Sequence, residues 1–192
     1  MPRPLMLLVF IHKDLSDYKT GELFENHFNW LSDEFEALSG RPFAIIFIPP
    51  SDAPTLSDHS YKIGIPEQAL YDWYLKVEEQ KMTYTSGSYD DHTRKFLLLT
   101  RDNLNSSTTG IASPKGYCAI SSIRSNQSPA HEVGHMFGAT HEDYEVYYNA
   151  GGTKPSWRRV QVFPRSEEMP SASATKTGKT FVIISKSTLE TL

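Results

Sequence analysis

Three short apolar runs set the possible folds of this chain. Leu5–Ile11 and Phe43–Ile48 are nearly uninterrupted stretches of Leu, Ile, Val and Phe, and Lys95–Thr100 adds a third, Phe-Leu-Leu-Leu behind one lysine. Strands that read as continuous rather than alternating apolar runs belong inside a sheet covered on both faces. The segments between them carry the helical period. Over 21–38, Phe24, Phe28, Leu31, Phe35 and Leu38 recur at spacings of three and four with acidic residues between them, and Gly40 stands where a helix C-terminus wants it. Pro66 opens a second helix to about Met82, with Ala69, Trp73 and Val77 four apart. Strand, helix, strand, helix, strand predicts parallel crossover units and an α/β fold. Two short β segments are expected near Ile111–Ala112 and Tyr117–Ile123, and a further helix from Ser128-Pro129, with serine as N-cap and proline at the first helical position.

Residues 142–180 lose this periodicity and are rich in Tyr, Gly, Pro, Ser and Thr. They read as an irregular lobe, and Ser185–Leu192 as the start of a last helix. The expectation is one domain over residues 1–192, with an N-terminal lobe 1–141 and a small C-terminal lobe 142–192. A chain of 192 residues can bury a core without staples. Its single cysteine, Cys118, rules out an intrachain disulfide and reads as a small buried hydrophobe. A net charge of −4 argues against a nucleic-acid partner, which calls for a basic face. No run reaches the length of a membrane span. The apolar start is followed at once by His12, Lys13 and Asp14 without a small-residue cleavage site, so it reads as a strand rather than a signal peptide.

Residues 131–142 read His-Glu-Val-Gly-His-Met-Phe-Gly-Ala-Thr-His-Glu. His131 and His135, four apart, place two imidazoles on one helix face. Glu132, beside the first of them, can reach a metal-activated water without itself ligating. Gly138 can leave the helix with positive φ, and the returning chain brings His141 as a third nitrogen ligand. Three protein ligands leave a fourth position open, the arrangement of a catalytic rather than a structural zinc site. A bare His-Glu-x-x-His arises by chance in roughly one or two chains per hundred, and the addition of Gly138 and His141 lowers this to roughly one in tens of thousands. His12, His27, His59 and His92 have no ligand spacing and read as solvated or hydrogen-bonded side chains.

On these residues the chain resembles the metzincin zinc peptidases, and within them the reprolysin or ADAM-type catalytic domains, for which His-Glu-Val-Gly-His-x-Phe-Gly is typical. A weaker likeness extends to Gly110-Ile-Ala112 and Gly116-Tyr-Cys118 upstream and to Met169-Pro170-Ser171 downstream, which resembles the family's Met-turn. Phe181 and 185–192 resemble the run into its last helix. The chain departs from the pattern at Glu142, where the family usually has Asp, and in having no disulfide.

The resemblance implies a metzincin-like zincin fold: a mixed twisted sheet with two packed helices and an active-site helix, then the small irregular lobe. It implies Zn2+ held by His131, His135 and His141, Glu132 as general base, and Met169 as an apolar floor under the ligands. A protein or peptide substrate would lie extended against a strand around Gly110, Ile111 and Ala112, with Pro170 and Ser171 walling the far pocket. The implied activity is that of a monomeric, secreted or exported zinc endopeptidase, a cytoplasmic location staying open. Two alternatives stand beside it: a bacterial toxin or effector peptidase acting on host or competitor proteins or cell-wall peptides, and a zinc-bearing binding module without turnover. The intact Glu132 speaks against the last. Tyr144, Tyr147 and Tyr148 are near enough in sequence to assist an oxyanion, but each reads first as a packing residue.

Overall fold

The computed structural model describes residues 3–85, 90 and 92–139 in full, and 144–147, 158–161 and 182–183 as strand backbone. The three apolar runs form β1 (Leu5–Ile11), β2 (Phe43–Ile48) and β3 (Arg94–Thr100), all mutually parallel with β1 in the middle. Two further strands follow, β4 (Gly110–Ala112) and β5 (Cys118–Ser122). β5 adds parallel to β3, and β4 turns back antiparallel at the edge. The sheet order is β4-β5-β3-β1-β2, with the two-residue β8 (Val182–Ile183) parallel to the outer side of β2.

Side-chain alternation along the strands divides the core in two. Leu7, Val9, Phe47, Leu97 and Leu99 face one side, which is covered by α1 (Thr20–His27), α2 (Asn29–Ser39) and α5 (Ser128–Met136). Leu8, Phe10, Ile48, Phe96 and Leu98 face the other, covered by the short α3 (Pro54–Ser57) and by α4 (Pro66–Gln80). Phe10 anchors the second side, edge-on to Trp73 and Tyr84 and stacked on Phe96. Each such fully buried ring contributes about 1.5–3 kcal/mol through removal of apolar surface from water. Cys118 is buried in β5. Among the described residues no helix is long and apolar enough to cross a membrane.

Away from α5, the structure departs from the sequence reading in four places. The helix expected over 21–38 breaks at Phe28 (φ −127°, ψ −20°) into α1 and α2. The break seats Phe28 edge-on against Phe47 and lets Phe35 stack on Phe43 at 4.7 Å, while Leu38 is left exposed. The stretch 51–64, read as turns, contains α3, because Pro54 fixes a helical φ and Leu56 enters the core. α4 stops at Gln80, and Met82 is exposed. In the stretch read as irregular, β6 (Tyr144–Tyr147) and β7 (Arg158–Gln161) pair antiparallel. The last helix expected from Ser185 and the lobe boundary after His141 lie outside the described residues.

Candidate metal and catalytic site

α5 follows β5 through a short turn and packs Ala130, Val133 and Met136 into the first core. Its start differs from expectation. Gln127 is the N-cap without a side-chain cap, and Ser128 is already helical. The Ser128 hydroxyl instead shares a 2.9 Å hydrogen bond with the Ser121 hydroxyl of β5, each satisfying the other in the core. The helix that carries the histidines is thereby pinned to β5, the strand next to the edge strand β4.

At its other end α5 closes with a Schellman arrangement. Ala139 N–H donates to Gly134 O and Gly138 N–H to His135 O, both at 3.0 Å, with Gly138 at φ 98°. A residue with a side chain would be strained there. This glycine has a chemical consequence, because the reversal brings the Ala139 carbonyl under His135, whose Nδ1–H donates to it at 2.8 Å. With Nδ1 protonated, the neutral ring presents its lone pair at Nε2. His131 stands edge-on to His135, ring centroids 4.5 Å apart, and the two Nε2 atoms face each other at 3.0 Å.

Two nitrogens this close share either a proton or a cation. Ligands about 2.0–2.1 Å from one tetrahedral zinc stand roughly 3.3 Å apart, so the observed pair fits zinc after a shift of a few tenths of an ångström. His131 and His135 therefore suit the metal that the sequence implies. The third expected ligand, His141, lies outside the described residues, as do Met169, Pro170 and Ser171.

Glu132, the next residue after His131, packs against the sheet edge. It is 5% exposed, and burial pushes its carboxyl up to about 8. Its neighbour is Gly110, the first residue of β4. A Cβ built on Gly110 would stand 2.7 Å from both Cγ and Oε1 of Glu132 and 2.9 Å from Cδ. Only a residue without a side chain leaves this carboxylate where it is. Ile111 and Ala112 complete β4, Ala112 turned toward α5 and Ile111 toward α4. Of the residues that the sequence singles out, the structure brings together His131, Glu132, His135, Gly138 and the strand Gly110–Ala112.

Two residues at the site escape a sequence reading. Lys115, in the turn between β4 and β5, adopts φ 57° and donates its backbone N–H to His135 O at 2.9 Å. Lys95, at the head of β3, is buried. Its ammonium donates to Gly116 O at 2.8 Å and lies 5.0 Å above the Phe137 ring. Together they clamp the β4–β5 turn onto the C-terminal end of α5. The one visible signal is a charge at the head of an otherwise apolar strand.

His12 and His59 belong to the fold. His12 Nε2–H donates to His59 O at 3.0 Å, and His59 Nε2–H donates to Ala69 O at 2.9 Å. Burial lowers His59 to about 4. Its Nδ1 has no hydrogen-bond partner among the described residues, so a proton there would have no acceptor. As pH falls from the ordinary histidine range toward 4, the unfolded chain takes up a proton that the folded chain refuses, and stability is lost. At about 1.4 kcal/mol per pKa unit, this group removes about 3 kcal/mol across that window. Urea denaturation of wild type and His59→Gln at pH 7 and pH 4.5 measures it. The variant is less stable at pH 7 but has a flatter pH dependence, and parallel curves would refute the assignment.

No protein-family model matches the chain, and no curated protein matches it.

Proposed function

We propose that the chain is a zinc-dependent endopeptidase of the metzincin type, with His131, His135 and His141 as metal ligands and Glu132 as general base. The observation that carries the reading is a juxtaposition. Two imidazole Nε2 atoms 3.0 Å apart and one buried carboxylate stand on a single helix, and the carboxylate is packed against an edge strand. The fold supports it, since β4 is an edge strand among the described residues, and an extended peptide can add to such an edge as a further strand.

Zinc, when bound, supplies Lewis acidity toward the scissile carbonyl and toward water. The chain's own groups do the rest. β4 aligns the substrate backbone, which converts a chance encounter into a positioned one. Glu132 accepts the proton of the attacking water and delivers it to the departing amine. Its burial excludes competing solvent and raises its basicity toward working pH, and a cation on the neighbouring imidazoles would draw the carboxyl back down. The Ala139 carbonyl holds His135 in the ligating tautomer, and the β4–β5 turn fixes the helix end behind it.

Metal analysis tests the ligand set. Wild type is expected to hold one zinc per chain after dialysis, and His135→Ala to lose it. Unchanged zinc content in the variant would remove the basis of the proposal.

A further inference from the structure

A buried ammonium lies under the C-terminal end of α5. Lys95 is 2% exposed and shares the face of β3 that Leu97 and Leu99 present to the first core. Burial strips an ammonium of its hydration, and an apolar side chain of the same length would fill the space without that cost. Packing alone therefore does not account for a lysine here, but its contacts do. Nζ donates to Gly116 O at 2.8 Å and stands 5.0 Å from the ring of Phe137, the residue that caps α5. Gly116 closes the β4–β5 turn, donating its N–H to Ser113 O at 2.8 Å. The turn is tight, since a Cβ on Gly116 would stand 2.4 Å from Ser113 Cβ. It is also strained. Lys115, its third residue, adopts φ 57°, and a turn with positive φ at this position favours glycine or asparagine there. Such a conformation persists only where its surroundings hold it. Two hydrogen bonds to groups outside the turn do so, that from Lys95 to Gly116 O and that from Lys115 N–H to His135 O at 2.9 Å. The Lys115 stem also lies against Gly138, with Cγ 3.5 Å from where a Cβ would stand.

We infer that Lys95 is a positioning residue for the metal site, acting on His135 through the β4–β5 turn. The inference rests on the proposed function, which gives His135 its task as a ligand. Lys95 holds the Gly116 carbonyl, and the turn so held presents the Lys115 N–H to the His135 carbonyl. The same stretch of chain carries the reversal at Gly138 and the Ala139 carbonyl that sets the His135 tautomer. With the turn loose, the His135 carbonyl loses the Lys115 N–H, and its ring loses a fixed direction for Nε2. Partners one step removed from a metal typically change its affinity about 10–100-fold when they are lost.

The test is Lys95→Met, which keeps the apolar body of the side chain and removes the ammonium. Thermal melting, zinc affinity by competition with a chelating dye, and hydrogen exchange of the Lys115 amide in the metal-free protein are measured on the full chain. The variant is expected to melt no lower than wild type, because an apolar replacement of a buried charge is often neutral or stabilising. It is expected to bind zinc about tenfold more weakly or worse, and its Lys115 amide to exchange about tenfold faster. A role in folding alone would lower the melting point and leave the zinc affinity of the folded protein unchanged. Unchanged zinc affinity overturns the inference. So does weaker zinc binding with an unchanged Lys115 amide, because the effect would then travel by another route. If Lys95→Met does not fold, Lys115→Val takes its place. That residue is exposed, and a β-branched side chain strains the turn at positive φ. Its zinc affinity is expected to fall as well, and an unchanged value overturns the inference. Wild type that binds no zinc would defeat the peptidase reading, and the inference with it. Wild type that binds zinc, beside variants that bind it equally well, defeats the positioning role alone.

Discussion

Glu132→Gln is expected to lower peptide hydrolysis on the order of 10³–10⁴-fold, the upper range for loss of a positioned acid–base group. Glutamine has nearly the same shape, so the packing against Gly110 is kept and no cavity opens. It cannot accept the water proton, however, and therefore cannot hand one to the leaving amine. Zinc content should not change, because Glu132 is not one of the three proposed ligands and glutamine keeps its packing against Gly110. Three readouts on one preparation decide the matter: metal analysis, thermal melting and turnover of a peptide that the parent cleaves. Wild-type turnover with intact zinc would remove Glu132 from the mechanism.

Gly110→Ala is expected to reduce turnover about 10²-fold with zinc retained, the typical penalty for misplacing a catalytic group by about 1 Å. The added Cβ would stand within 2.9 Å of three Glu132 side-chain atoms, closer than carbon and oxygen tolerate. Glu132 is buried and cannot swing freely aside, so either the carboxylate or the strand must move. Overpacking of this kind also destabilises by about 1–3 kcal/mol. The discriminating feature is the order of effects. Loss of kcat should far exceed the loss expected from unfolding at the assay temperature. A variant with full turnover would show that the carboxylate tolerates displacement, or that β4 yields instead.

The pairing of Gly110 with Glu132 also illustrates what a sequence conceals. The two residues are far apart in the chain and meet only because β4 turns back along β5 and α5 crosses beneath it. Local rules reach the parts of this protein that local physics decides. Continuous apolar runs gave β1, β2 and β3, because a strand covered on both faces needs no alternation. The i, i+4 spacing gave the facing imidazoles of His131 and His135, and glycine at 138 gave the helix end, since only positive φ completes it. The break at Phe28 was hidden, because its aromatic neighbours keep helical period on both sides and it is Phe47, in another element, that sets where the ring goes. Ser128 reads as a helix cap on sequence grounds, and its actual partner, Ser121, is again on a separate element. Lys95 looks like a strand terminus at the surface, yet the β4–β5 turn and Phe137 fold over it.

The central claim is zinc-dependent cleavage of internal peptide bonds, and one measurement reaches it directly. The purified chain is incubated with a mixed peptide library, products are mapped by mass spectrometry, and the reaction is repeated with a zinc chelator and again after zinc is restored. The account predicts cleavage at internal bonds that stops with the chelator and returns with the metal. A library left intact by the zinc-loaded chain, or cleavage that proceeds equally with the chelator present, would contradict it.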